Sequence, residues 1–189
     1  MQLALIALLA VADSPVTSTD FHTAYADVPL VKQALEEKEL SDELAEALAK
    51  GDMPIDEKAA IVNALGWGNA SHEEKFRAYL KDRAEKDPPM LSGEEAFVLG
   101  YLTLMNDYFH PDKALELLRY AKERMPKSYT VALVLSLAES QQAMDADWCR
   151  VYKIFDRVDR DRSLRKDLRP KARAIVADYL GLYRESCGR

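Results

Sequence analysis

A chain of 189 residues, 48% hydrophobic and 31% charged with seven Gly and eight Pro, is long enough for one sizeable core and short for two. That composition excludes a disordered or fibrous protein. The net charge of −6 argues against a general nucleic-acid binder, but it is unevenly spread: residues 1–149 hold 14 Lys and Arg against 26 Asp and Glu, and residues 150–189 hold 12 against 6.

In chain order, residues 2–12, QLALIALLAVA, form an uncharged apolar run. Spanning a bilayer takes about 20 such residues. With Ala10-Val11-Ala12 before Asp13, the run predicts a secretory signal peptide over residues 1–12 and a periplasmic or secreted protein. The alternative is a buried first helix on a cytoplasmic protein, because no Lys or Arg precedes the run. Residues 13–20, DSPVTSTD, read as a polar linker.

From residue 21 to residue 189 the pattern predicts a single all-α domain. A helix is expected over 21–39, interrupted near Pro29, whose ring removes a backbone donor. Ser41 caps a short helix carrying Leu44, Ala45 and Leu48. The acidic residues around it, Glu36, Glu37, Glu39, Asp42, Glu43 and Glu46, read as a solvated face. Asp56 is expected to cap a helix that stops at Gly66-Trp67-Gly68. Ser71 and Glu74 form a capping box for a helix to about residue 86, closed by Asp87-Pro88-Pro89.

Residues 94–128 then read as two antiparallel amphipathic helices. The first opens on the capping box Ser92-Gly93-Glu94-Glu95; the second starts near Pro111 and stops before Pro126. A central, buried helix is expected over 128–144. Asp145 or Asp147 caps the next, with Trp148, Val151, Tyr152, Ile154 and Phe155 on its apolar stripe. A last helix follows over 170–185, and no period-2 alternation supports a sheet.

A Leu followed by a small residue recurs as Leu65-Gly66, Leu99-Gly100, Leu135-Ser136 and Leu180-Gly181, at steps of 34, 36 and 45. The small residue is read as permitting close approach of a neighbouring helix. Ala84 precedes Pro89 by five residues, as Ala121 precedes Pro126. At these residues and at Ala114 and Leu118, over residues 55–160, the chain resembles the tetratricopeptide repeat family. It departs from that pattern at Trp148 and Phe155, where the family places small residues.

The resemblance implies a right-handed stack of antiparallel helical hairpins, an α-α superhelix of about eight to ten helices. It also implies a concave groove lined by first-helix side chains, here Phe97, Tyr101, Thr130 and Gln141. The leading expectation is therefore a non-enzymatic module that binds a peptide or partner protein. The other is an anionic partner, acidic protein or nucleic acid, on the basic segment carrying Arg157, Arg160, Arg162, Arg165, Lys166, Arg169 and Arg173. That basic face also reads as a solvated surface offsetting an acidic body.

Cys149 and Cys187 lie at the start of one predicted helix and the end of the next, so antiparallel packing brings them to one end. They are expected to pair if the compartment is oxidising and to stay inert thiols if it is not. His22, His72 and His110 stand alone, and His72 and His110 are expected at the surface or in turns. Neither they nor the cysteines have metal-ligand spacing. No nucleophile elbow or phosphate-cradling loop is present, and no cofactor or small-molecule substrate is indicated.

Overall fold

The computed structural model describes residues 14–86, 90–144 and 146–188. The expected leader, its cleavage point at Asp13 and the Asp87-Pro88-Pro89 stop lie outside them. Among the described residues ten α-helices follow in order: α1 (Pro29–Glu37), α2 (Asp42–Ala49), α3 (Ile55–Leu65), α4 (Ala70–Leu80), α5 (Asp82–Glu85), α6 (Gly93–Asn106), α7 (Asp112–Arg124), α8 (Tyr129–Ala143), α9 (Trp148–Asp159) and α10 (Pro170–Gly181). Two 3-10 segments, Phe21–Tyr25 and Leu182–Gly188, flank them. Among the described residues the sole β-type pairing is an isolated bridge between Ser128 and Arg165, so the all-helical expectation stands.

Short connections make α6 and α7, and α8 and α9, packed hairpins, and α7 packs onto α8. The core centres on α6 and α8. Every residue of α6 from Glu95 to Met105 is buried, which corrects the expected amphipathic pattern: α2, α3, α4, α7 and α8 all pack around this helix. A helix apolar on all sides belongs in the interior. By contrast α7 is amphipathic, burying Ala114, Leu115, Leu118 and Ala121.

Local chemistry sets most helix ends. The Ser92–Glu95 capping box is complete, with Ser92 Oγ accepting from the Glu95 amide at 3.1 Å and Glu95 Oε2 from the Ser92 amide at 2.9 Å. Ser41 caps α2 and Asp147 caps α9. Two caps fall elsewhere than expected. Helix α3 starts one residue before Asp56, whose carboxylate instead accepts a hydrogen bond from Tyr25 Oη at 2.8 Å. Helix α4 is capped by Asn69, whose Oδ1 accepts from the Ser71 amide at 3.1 Å. The continuous helix to residue 86 is also broken, at Lys81 with φ +54°.

The Leu-small pairs have different physical reasons. At Gly100 an added Cβ would lie 3.0 Å from Leu117 Cβ and 3.1 Å from the Leu118 amide nitrogen, so here a glycine does allow α7 to approach α6. Gly66 instead terminates α3 at φ +86°, a backbone region that favours glycine. Ser136 is buried and its hydroxyl donates to the Leu133 carbonyl. Gly181 has open space where its Cβ would be.

Lys58 on α3 is fully buried, and its ammonium donates to the Lys50 carbonyl and to Glu94 Oε2 at 2.6 Å. A buried cation persists only when paired and hydrogen-bonded. This one ties the end of α2 and the start of α6 to α3.

Candidate binding cleft

The face that the repeat resemblance reserves for a ligand is covered by the chain itself. Phe97, Tyr101 and Thr130 are each fully buried, which corrects their assignment as exposed groove residues. The stretch read as a linker is itself part of the core, with Val16 and Thr19 buried, and so is the 3-10 segment after it, with Phe21 and Tyr25 buried. Phe21 stacks on Tyr101, with ring centroids 6.5 Å apart. Asn63 accepts the His22 amide hydrogen at 2.9 Å and donates to the Thr19 carbonyl at 3.2 Å and to Tyr101 Oη at 3.1 Å.

Gln141 remains half-buried and accepts from Ser14 Oγ at 2.5 Å. Thr130 is taken by the loop before α10, with its hydroxyl on the Asp167 carbonyl at 2.6 Å and its amide on Asp167 Oδ1 at 2.9 Å.

The basic segment is largely neutralised from within. Arg173 grips Asp159 through two bonds of 2.6 Å, Arg160 meets Asp156 at 2.9 Å and Arg165 meets Asp167 at 3.1 Å. Arg169 pairs with Asp27, lies over the Tyr25 ring at 4.4 Å and donates its amide to Tyr25 Oη at 3.2 Å. The bond from Arg169 holds the Asp27 carboxyl below its ordinary value. Likewise the Ser163 hydroxyl and amide hold Asp161 below the usual carboxylate range. Arg162 and Lys166 are exposed without an ion pair among the described residues.

Open cationic surface lies one step earlier in the chain. Helix α9 places Arg150, Lys153, Ile154 and Arg157 at offsets 0, 3, 4 and 7, along one helical face. Opposite them stand Arg119 of α7 and Glu139 of α8, enclosing a cleft of about 430 Å³. Arg157 is paired with Glu139 at 3.4 Å, and Gln142 on the rim donates to Asp112 at 3.1 Å.

Arg119, Arg150 and Lys153 are exposed and meet no carboxylate among the described residues. The chain matches no protein-family model, no curated protein and no solved structure. Three cations around a concave floor at Ile154 concentrate positive potential where a carboxylate can approach several donors at once.

Of the cleft's cations, Arg157 alone stands among the basic residues singled out from sequence. Arg150 and Lys153 have a legible i, i+3 spacing but are interleaved with the apolar stripe of α9. Arg119 has no local signal, since only the packing of α7 on α8 brings it there. Among the described residues no group of three or more His, Cys, Asp or Glu is placed to hold a metal ion, and no described helix is long and apolar enough to cross a membrane.

Cys149 at the start of α9 and Cys187 in the last 3-10 segment are joined by a disulfide, with their Cα atoms 4.7 Å apart. The bond clasps the chain's end onto the helix that carries the cleft's basic face.

Proposed function

We propose that this chain is a non-enzymatic protein-interaction module, a scaffold of tetratricopeptide-like helical hairpins, that receives an acidic segment of a partner protein in the cleft between α7, α8 and α9. The observation that carries this reading is the trio Arg119, Arg150 and Lys153, exposed around Ile154 and paired with no carboxylate among the described residues, since Glu139 on the same cleft is taken by Arg157. Arginine presents a planar fork that suits carboxylates, and lysine a mobile point charge. A periplasmic or secreted location accords with this reading, because the Cys149–Cys187 bond persists in an oxidising compartment.

The test is fluorescence anisotropy with a labelled peptide of alternating Glu and Leu. The wild type binds it, and raising NaCl from about 50 mM to about 500 mM weakens binding about tenfold or more as the charges are screened. Arg150→Gln/Lys153→Gln lowers affinity by a similar factor at low salt. Equal binding by wild type and variant overturns the reading.

A further inference from the structure

We infer that the acidic segment this cleft receives is the α1–α2 shoulder of a second copy of the same chain. The inference rests on the cleft reading above and adds the identity of the partner. On the shoulder three ion pairs are satisfied locally: Lys32–Glu36 at 3.8 Å, Lys50–Glu46 at 2.6 Å and Lys75–Asp42 at 2.9 Å. Lys38 turns its ammonium away, onto the Ala64 carbonyl at 2.7 Å.

Glu37, Glu39 and Glu43 are left exposed, with no ion pair among the described residues. The Gln33 amide lies 3.5 Å from both the Glu37 and the Glu43 carboxylates, so carboxylates from two helices are gathered at one point. Leu35 is 41% exposed but, two positions from both Gln33 and Glu37, lies on another side of α1.

Shoulder and cleft are complementary in number and kind. The shoulder's three carboxylates without an ion pair match, in number and opposite sign, the cleft's three cations without one. The two surfaces are also separate. Helices α1 and α2 pack on α3, α4 and α6, whereas the cleft is built by α7, α8 and α9, so one molecule presents both at once. The contact is therefore heterologous, head to tail, and repeats along a row of copies. The opposed charge of the two parts of the chain, −12 over residues 1–149 (14 − 26) and +6 over 150–189 (12 − 6), favours that polarity over head-to-head contact. Solvent-exposed ion pairs are individually weak and screened by salt, so association is concentration-dependent.

Sedimentation velocity on the full chain tests this. At about 50 mM NaCl the wild type forms dimers and longer rows as concentration rises, and at about 500 mM it returns to monomer. Two variants each remove one surface: Arg150→Gln/Lys153→Gln blocks the cleft and Glu37→Gln/Glu43→Gln blocks the shoulder. Each alone sediments as a monomer at low salt, and an equimolar mixture forms a dimer that grows no further, since only one intact cleft and one intact shoulder remain per pair. All four side chains are exposed, and a circular-dichroism melt matching the wild type confirms that the variants fold.

A wild type that stays monomeric at low salt, variants that still self-associate, or a mixture without dimer overturns the inference. If the Glu-Leu peptide nevertheless binds the wild-type cleft, the module reading stands and only the second copy is excluded. Failure of the peptide as well removes both.

Discussion

The ring of Phe21 lies nearly parallel to that of Tyr101, with planes within 15° and centroids 6.5 Å apart. A residue from the start of the described chain thereby occupies the surface of α6 that the repeat pattern reserves for a ligand. Both rings are fully buried, so this segment belongs to the core and is not a loosely held plug. Phe21→Ala is expected to lose about 3–5 kcal/mol of stability, the transfer and cavity cost of a buried phenyl ring. A urea melt reads the loss. A shift below about 1 kcal/mol would mean that the segment is not packed there, since buried rings cost several times that.

The same Leu-Gly dipeptide predicts opposite outcomes at two places. Gly100→Ala drives a methyl to within 3.0–3.1 Å of Leu117 and of the Leu118 side chain and backbone. The overpacking cost of about 1–3 kcal/mol exceeds the helix-propensity gain of about 1 kcal/mol, so Tm falls. Gly181→Ala meets nothing within 4 Å and lies in the last turn of α10, so Tm holds or rises. Paired thermal melts decide the matter.

The Cys149–Cys187 bond spans 38 positions of sequence. Closing a loop of that length removes unfolded-state entropy equivalent to about 4 kcal/mol. Cys149→Ser/Cys187→Ser is expected to lower Tm in the absence of reductant, with no further drop on adding it, whereas the wild type converges on the variant when reduced. A thiol count on native, unreduced protein should find none; two titratable thiols would contradict the bond.

His72 is buried, not at the surface. Its Nε2 lies 3.1 Å from the Lys38 carbonyl and 3.1 Å from the Asn69 side-chain nitrogen. Burial holds its pKa below the ordinary 6.5, opposed by the Lys38 carbonyl and by the charge of Glu39. The unfolded chain therefore takes up the proton first as pH falls. The stability this group contributes is complete above about pH 6.5 and is lost as pH drops from there through the lower folded value. His72→Gln should flatten the stability curve across that window in denaturant melts at stepped pH. An unchanged slope would assign the pH dependence to other groups.

Local signals in the sequence were sufficient where local physics decides. Ser92 and Glu95, Ser41, Pro29 and Gly66 start and stop helices through groups within a few residues, and the structure places them accordingly. Asp56 and Ser71 misled because each has a competitor that local pattern does not reveal or rank. Tyr25 comes 31 positions earlier to take the Asp56 carboxylate, and Asn69 caps α4 first. His72 misled for a related reason: the Lys38 carbonyl that receives it lies 34 positions away.

By itself the sequence determined an all-helical protein, with the order of most helices, the burial of α8 and the split of charge, because helical periodicity and capping act within a turn or two. Only the tertiary structure decided that Phe21 packs on Tyr101, that carboxylates neutralise most of the basic segment, and that Arg119 joins Arg150 and Lys153 around Ile154. These are contacts between side chains distant in sequence. Helical spacing says which face of a helix is apolar, but only packing decides what covers that face and which charges are left without a partner.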